Sequence, residues 1–171
     1  RDVAPSRGLG DVYKRQDYIT HPMHGAGVIE SIVTKKINGS QRDYYVLKLP
    51  VGDMVVMVPV SGCEDIGVRS IISRSEAEKL FSAFSEIEIS MTQNWNKRYR
   101  ENMDKIKSGN LLDVASVVKG LMCRDSERGL STSERKMLHS AKQILISELV
   151  IATDMDYDGV EKRLCAALKE G

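Results

Sequence analysis

The stretch around Trp95 contains the residue types with the clearest chemical use in this chain. Trp95 is the single tryptophan among 171 residues. It directly follows Asn94, a residue type that favours the N-cap of a helix, and the pattern after it predicts a helix over 95–108. Over 95–107, five basic residues stand against two acidic ones, a local charge of +3. The basic residues are Lys97, Arg98, Arg100, Lys105 and Lys107.

A large apolar ring among cations can serve two purposes. It can cap a hydrophobic core at the end of a helix, as buried aromatic side chains often do. It can also wedge against a nucleic-acid base while the cations hold phosphates. On the predicted helix, Tyr99, Met103 and Ile106 share one apolar stripe, and Trp95 lies one turn before Tyr99 at the outer end of that stripe. The stretch by itself leaves both interpretations open.

No set of residues has the spacing of a catalytic or metal site, and we expect neither enzymatic activity nor a cofactor. His21 and His24 are three residues apart, and a role in a strand and turn is a better explanation for them than a metal site. Asp154, Asp156 and Asp158 alternate as in a calcium loop. The closing glutamate of such a loop is missing, which favours helix capping instead.

Composition indicates one or two soluble globular domains with an ordinary core. The charged fraction is 29% and the hydrophobic fraction 42%. Because the net charge is only +1, any surface for nucleic acid must be local. Three scattered cysteines, Cys63, Cys123 and Cys165, predict a reducing cytoplasm rather than a disulfide framework. No apolar run approaches the ~20 residues of a membrane span, so we expect neither a membrane segment nor a signal peptide.

The first part of the chain predicts a small β domain. Residues 1–16 have no sustained period, and we expect a disordered or foreign lead outside the fold. Residues 17–67 predict short strands at 18–20, 27–33, 43–49 and 53–59. The pair Asn38 and Gly39 is a strong hairpin signal, and residues 50–53 predict a further turn. Strands at this spacing predict a small SH3-like or Tudor-like β-barrel.

The period changes to helical after a linker at 68–74. Residues 75–171 predict an all-α bundle of about five helices, over 76–84, 95–108, 111–123, 131–152 and 157–169. Ser131 and Glu134 have the spacing of a capping box at the start of the longest helix. The predicted fold class is therefore a two-domain β-then-α protein. The predicted N-caps are Ser75, Asn94, Asn110, Ser131 and Asp156.

The order of several short motifs resembles the CarD/CdnL family of bacterial transcription regulators. Each motif is weak alone, but their order and spacing are specific, and the resemblance runs from about Asp17 to the C-terminus. The motifs are HPMHGAGVI at 21–29, YYVLK at 44–48, MVP at 57–59, NWNKRY at 94–99, ERGLS at 127–131 and SERKML at 133–138.

The resemblance implies two partners. The first domain is similar to the Tudor-like domain shared with transcription-repair coupling factor, which binds the β subunit of RNA polymerase. The second is similar to the helical DNA-binding domain of the family, whose tryptophan enters the minor groove at the upstream edge of the melted promoter. The resemblance assigns that role to Trp95. It assigns contacts with the DNA backbone to Lys97, Arg98, Arg100 and Lys105.

The resemblance also implies where polymerase binds. It places polymerase contacts at Lys35 and Met57. An exposed strand edge, within 43–49 or 55–58, would pair with the polymerase lobe by strand addition, and we therefore add Val56 and Val58 to the expected contacts. Some family members have arginine where this chain has Met57, so we expect an apolar contact there rather than a charge pair.

Two further departures from the family pattern concern the first domain. Family members begin with a short strand that ends in Gly-Asp, whereas here Gln16 and Asp17 join dissimilar sequence. Residues 10–13 resemble that start but lie too early for the register, so the first strand of the family is expected to be missing. His21 stands where family members often have an aromatic residue.

The sequence therefore predicts a non-enzymatic transcription regulator of the bacterial cytoplasm, monomeric and associated with the nucleoid through RNA polymerase. The first domain would tether the chain to polymerase, and the tryptophan would stabilise the open complex. Little sequence specificity is expected, because the code of the minor groove is degenerate. The alternative is a protein-interaction scaffold in which Trp95 is buried and does not act on DNA.

Overall fold

A β-sheet domain is followed by a helical domain in the computed structural model, which describes residues 13–50 and 53–170. The predicted order of β then α is confirmed. The strands are β1 Tyr18–His21, β2 Gly25–Ile37, β3 Ser40–Lys48, β4 Val55–Pro59 and β5 Arg69–Ser70. The helices are α1 Cys63–Ile66, α2 Arg74–Phe84, α3 Trp95–Lys107, α4 Leu111–Arg128, α5 Thr132–Thr153 and α6 Tyr157–Glu170.

The strands form one antiparallel sheet in the order β4-β3-β2-β1-β5. β2 and β3 are joined by the predicted hairpin, in which Asn38 and Gly39 both have positive φ, 51° and 82°. Among the described strands β4 and β5 do not pair, so the sheet is open and the predicted SH3-like or Tudor-like barrel is not closed. β5 has only two residues and pairs with β1 alone, which leaves too short a ladder to close the sheet.

The β2–β3 hairpin extends beyond the rest of the sheet. The last pair between β3 and β4 is Tyr44 with Pro59, whereas β2 and β3 continue to pair up to Ile37 with Ser40. Residues 34–43 are exposed and form a two-stranded ribbon. The core of this domain lies instead where the sheet is widest. Its fully buried side chains include Ile19, Ile29, Tyr45, Leu47 and Val58.

Residues 13–16 belong to this domain. Tyr13 is buried, its backbone N–H donates to Tyr45 Oη at 3.2 Å, and the two rings meet edge to face. The backbone N–H of Gln16 donates to Ile29 O at 2.8 Å. The prediction that all of 1–16 lies outside the fold was therefore wrong for 13–16, because one buried aromatic residue attaches a segment that has no period. Residues 1–12, and residues 51–52 of the predicted turn, lie outside the described residues.

The start of each long helix follows from local capping chemistry. The Asn94, Asn110 and Ser131 side chains accept backbone N–H groups of α3, α4 and α5, as predicted. The Asp156 carboxylate accepts the Gly159 N–H at 2.7 Å at the start of α6. The predicted cap at Ser75 was wrong, since Ser73 caps α2 in a complete capping box with Glu76.

Two other differences concern segments without an apolar period. α4 continues past the predicted end at residue 123 to Arg128. The prediction ended too early because the last turns of the helix are polar and exposed and have no apolar period. α1, with four residues, and β5, with two, are too short to show a period and were not predicted. The described chain therefore has one helix more than the predicted bundle, and this extra helix belongs to the sheet domain.

α5 is the helix on which both domains pack. Residues 144–149 are buried around the whole circumference of the helix. On one side, the backbone N–H of Ala26 in β2 donates to Ser147 Oγ at 2.8 Å. A Cβ at Gly25 would lie 2.5 Å from that oxygen, so this close approach of the sheet to the helix requires glycine. Within the described residues, no helix combines the length and the apolar character of a membrane span.

A buried ion pair fixes the segment between the two domains. Glu148 in α5 is 0% exposed and accepts Arg69 Nη1 at 2.7 Å and Arg69 Nη2 at 2.9 Å. The same carboxylate accepts the Ile72 backbone N–H at 2.8 Å. Arg69 Nε donates to Gly109 O at 3.1 Å, which adds the loop before α4 to the network. The path of the chain from β5 to α2 is thus held by one carboxylate.

Glu148→Ala should lower the free energy of unfolding by about 3–5 kcal/mol, because it leaves the partly buried Arg69 without its counter-charge. Lys48→Ala is the matched control, since its ion pair with Glu30 is long at 3.9 Å and about half exposed. That change should cost about 0.5 kcal/mol or less. Chemical denaturation followed by circular dichroism measures both. Equal effects of the two changes would show that the Glu148 network does not hold the linker.

Candidate functional site

Trp95 lies at the first position of α3 and is 41% exposed. Asn94 Oδ1 accepts the Lys97 backbone N–H at 2.9 Å and fixes the start of the helix. One face of the indole stacks on the Tyr99 ring, with centroids 5.2 Å apart and planes inclined by 22°. The prediction that the ring is at least partly exposed is confirmed, and the interpretation of Trp95 as a buried core cap was wrong. Its action on DNA stays a prediction.

The polar edge of the indole has a hydrogen-bond partner on another helix. Trp95 Nε1–H donates to Ser131 Oγ at 3.3 Å, and Ser131 is the N-cap of α5. The start of α3 therefore lies against the start of α5, although the two are 36 residues apart in the sequence. The N–H of the ring thus has a partner in the protein, and the rest of the ring is apolar. A wedge against bases needs an apolar surface of this kind.

Arg98 was predicted to bind DNA phosphates, but the folded chain buries it and supplies it with other partners. The residue is 2% exposed. Its Nε donates to Glu134 Oε2 at 2.9 Å, and its Nη1 donates to the carbonyl oxygens of Thr92 at 3.1 Å and Gln93 at 3.0 Å. Arg98 therefore shapes the loop before Trp95. This role could not be predicted from neighbouring residues, because the acidic partner of Arg98 lies 36 residues away.

The Glu134 carboxyl is ionised by its surroundings. Burial alone raises its pKa, but the hydrogen bond and charge of Arg98, with smaller contributions from the Ser131 backbone and the Arg124 charge, outweigh burial. The net effect lowers the pKa below the usual 4.5. Because the folded-state pKa is lowered, this pair stabilises the fold above the usual carboxyl pKa. The stabilisation is lost as the pH falls through the lowered value.

Three of the predicted DNA-contacting cations are exposed, and two of them are in the same part of α3 as Trp95. Lys97 and Arg100 are in the first two turns of α3 with Trp95. Lys105 is ten residues further along the helix, which places it about 15 Å from the start of α3. Arg135 and Lys136, which the motif search did not assign to DNA, are exposed in the first turns of α5.

The two helix starts create a local positive potential. α3 has no acidic residue in its first turn, and the acidic residue of the first turn of α5, Glu134, is neutralised by Arg98. The positive ends of both helix dipoles are therefore left without a free anionic side chain. Together with the exposed cations, they make the surface around Trp95 suited to phosphates. Only the folded chain shows this, because it depends on bringing the two helix starts together.

The predicted polymerase contacts divide into two places. Within the described strands β4 pairs only with β3, so β4 is a free edge, whereas β3 is interior and the alternative edge at 43–49 was wrong. Val55 and Met57 point outward, 54% and 37% exposed. Val56 packs on the core, and the Val58 side chain is fully buried. The Val58 side chain is therefore not accessible for the expected contact, and its backbone alone remains for strand addition.

Lys35 does not join this edge. The register places Met57 opposite Val46 and Lys35 opposite Arg42, which lies four residues away from Val46 along β3, on the order of 13 Å. Lys35 is exposed on the projecting ribbon, two strands away from β4. A partner that contacts both places has to extend along the outer face of the sheet.

The histidines of the first turn have structural partners. The His21 and His24 rings are 4.6 Å apart, and His21 Nδ1 accepts the Met23 backbone N–H at 3.0 Å. Burial, and to a smaller extent the charge of His24, lower the pKa of His21. In the part of the chain that the structure describes, no three His, Cys, Asp or Glu side chains come together as metal ligands.

Comparison with known proteins divides the chain into two regions that correspond to the sheet domain and the helical domain. The model of the CarD-like/TRCF RID domain matches residues 13–72, and that of the CarD C-terminal domain matches residues 79–165. The proposed transcription factor YdeB of Bacillus subtilis (strain 168) is similar, with 37% identity over 135 residues. These residues cover 79% of this chain and 88% of YdeB. The first match begins at Tyr13, where the described fold begins.

Arg98→Ala should lower the free energy of unfolding by about 3–5 kcal/mol, because it leaves the Glu134 carboxylate buried without its partner. Lys97→Ala, the neighbouring exposed cation, should change stability by about 0.5 kcal/mol or less. Thermal and chemical denaturation measure both, with salt-dependent DNA binding as a second readout. If Arg98→Ala keeps full stability and only flattens the salt dependence, Arg98 is a phosphate ligand after all.

Proposed function

The chain belongs to the CarD family, and from this membership we propose that the protein is a transcription regulator that stabilises the open promoter complex. In this proposal the β4 edge binds the β subunit of RNA polymerase. The surface around Trp95 binds promoter DNA at the upstream edge of the bubble. The observation that carries the proposal is the half-exposed tryptophan, held where two helices begin and flanked by free cations.

The geometry around Trp95 supports a wedge rather than a reader of sequence. Its single N–H is bound to Ser131 and is not available to a base. The free part of the ring can act only through apolar contact and stacking. Lys97, Arg100, and more remotely Lys105, are available to the DNA backbone, and Arg135 and Lys136 extend the same basic surface. Such a site favours unstacked DNA in a minor groove with little sequence preference.

The β4 edge supports binding of a protein by strand addition. Its backbone is unpaired on one side among the described strands, and Val55 and Met57 offer apolar contacts beside it. The sheet domain falls within the match to the CarD-like/TRCF RID domain, a domain type that interacts with RNA polymerase. The choice of the β subunit is part of the proposal.

The link between the domains lets the two activities cooperate. Ser147 and Glu148 in α5 hold β2 and the segment after β5, so the DNA surface keeps a fixed position relative to the β4 edge. A chain bound to polymerase thus presents Trp95 to promoter DNA at high effective concentration. A preference of ~1–3 kcal/mol for opened DNA would increase the open complex several-fold to about a hundredfold. We propose that the chain does this as a monomer in the cytoplasm, without a cofactor and without catalysing a reaction.

Met57→Asp should weaken capture of RNA polymerase tenfold or more, a loss of about 1.4 kcal/mol per tenfold change. The added carboxylate has to be desolvated beside the incoming strand. Leu112→Asp is the matched control, because Leu112 is an exposed apolar residue in the helical domain. Pull-down of purified polymerase measures both. Val56→Asp is less informative, since Val56 packs inward and the change would also destabilise the sheet.

If Met57→Asp still captures polymerase and changes in the helical domain abolish capture, polymerase binds the helical domain and not the β4 edge.

Trp95→Ala should shorten the lifetime of the open complex several-fold or more while polymerase binding remains intact. Its effect on unfolding should stay below the ~3–5 kcal/mol of a buried aromatic residue, since the ring is 41% exposed. Tyr18→Ala, which removes an exposed aromatic ring from the sheet domain, is the control. Competitor-challenged open-complex decay and thermal unfolding are measured on the same preparations. An unchanged lifetime in Trp95→Ala would contradict the wedge and favour the alternative, a protein-interaction scaffold that does not act on DNA.

A further inference from the structure

The side chains around Trp95 form a closed hydrogen-bonded circuit. Trp95 Nε1–H donates to Ser131 Oγ at 3.3 Å, and that hydroxyl donates to Glu134 Oε1 at 3.3 Å. Arg98 Nε donates to the other carboxylate oxygen, Oε2, at 2.9 Å. Arg98 Nη1 then donates to the carbonyl oxygens of residues 92 and 93, at 3.1 and 3.0 Å. The circuit returns to the backbone two residues before Trp95.

We propose that Glu134 is the positioning residue for Trp95, and that it fixes the ring through Ser131 and the backbone below the ring through Arg98. This goes beyond the capping role of Glu134, which concerns α5 alone. It rests on the proposed function for its effect on transcription. Its effect on the ring itself concerns the free protein and does not depend on that function.

The hydrogen-bonding capacity of Ser131 supports this role. A hydroxyl has one hydrogen to donate and two lone pairs to accept with. The Ser131 hydroxyl donates to the Glu134 carboxylate and accepts both the Glu134 backbone N–H, at 3.2 Å, and the indole N–H of Trp95. All three positions are used. Because the carboxylate takes the hydrogen, the remaining lone pair is directed at the indole.

The burial of the Arg98–Glu134 ion pair supports the second connection, which runs from Glu134 through Arg98 to the backbone before Trp95. The Arg98 and Glu134 side chains are each 3% exposed, so water cannot replace either partner. Arg124 lies near enough for its charge to help lower the pKa of the Glu134 carboxyl. Without the negative charge of Glu134, the buried guanidinium group of Arg98 would be uncompensated and would no longer be stabilised in its position. The carbonyl groups of Thr92 and Gln93 would lose their donors at the same time.

Glutamine at position 134 tests the charge with almost unchanged shape. A carboxylate accepts from Arg98 and Ser131 at once, whereas an amide has one oxygen and must direct its NH₂ group at one of these two donors. Glu134→Gln therefore breaks one arm of the circuit whichever way the amide turns. Glu148→Gln is the matched control, because it alters a buried carboxylate that also pairs with an arginine, lies on the same helix and has no bond to Trp95.

The chain carries its own reporter, since Trp95 is the single tryptophan. Its emission spectrum, anisotropy and acrylamide quenching are measured in the free full-length protein, followed by the lifetime of the open complex. In Glu134→Gln we expect lower anisotropy and roughly twofold stronger quenching, because the ring would move from 41% exposed toward full exposure. The open-complex lifetime should fall toward that of Trp95→Ala. Glu148→Gln should leave the fluorescence unchanged.

A second pair of variants decides the matter if Glu134→Gln does not fold. Ser131→Ala removes the link between the carboxylate and the indole and leaves the ion pair in place. It should raise quenching and lower anisotropy in the same direction, and Ser131→Thr, which keeps the hydroxyl and the capping ability, should restore both.

Unchanged fluorescence in a folded Glu134→Gln, or in Ser131→Ala where the former does not fold, overturns the positioning role. If the fluorescence changes as expected but Trp95→Ala leaves the open-complex lifetime unaltered, the positioning role stands and the wedge function is what fails.

Discussion

The buried carboxylate of Glu148 is the constraint on which the arrangement of the two domains depends. It lies in a turn of α5 that is covered on all sides, where an ionised group needs several partners. The partners come from Arg69 and from the backbone of Ile72, which are the residues that leave the sheet and enter the helical domain. Burying this part of α5 therefore requires the connecting segment to follow the path that brings Arg69 and the Ile72 N–H to Glu148.

The same helix carries a second carboxylate, Glu134, fourteen residues earlier. At 1.5 Å per residue the two are about 21 Å apart along the axis. One end of α5 thus holds the sheet domain and the other end holds the start of α3 with its tryptophan. Both contacts are Arg–Glu pairs. Arg69 binds both oxygens of Glu148, and this forked geometry fixes direction as well as distance, whereas Arg98 binds Glu134 through Nε alone. A single rigid element sets the spacing between the strand edge and the exposed ring.

Local chemistry could be predicted from the sequence, and distant pairing could not. The hairpin at Asn38 and Gly39 and the caps at Asn94 and Ser131 depend on neighbouring residues, and they were found where the motifs placed them. Arg98 was grouped with the surface cations because nothing near it in the sequence shows that Glu134 will bury it. Whether the predicted barrel closes could not be predicted for a similar reason, since closure depends on how β5 meets strands far from it in the sequence. The exposure of Trp95 was expected from the resemblance, whereas the packing of the α3 start against the α5 start was not.

The short length of β4 decides which partners the open edge can hold. Successive residues of a strand present their backbone groups to alternate sides, and Pro59 has no N–H to offer. Over Val55–Pro59, about two outward N–H groups remain for an added strand. So few bonds are a weak basis for two copies of the chain to associate edge to edge, which keeps the edge from becoming a site of aggregation. A stable complex requires a partner whose side chains also fit Val55 and Met57. The short strand therefore makes binding depend on the side chains of the partner and not on its backbone alone.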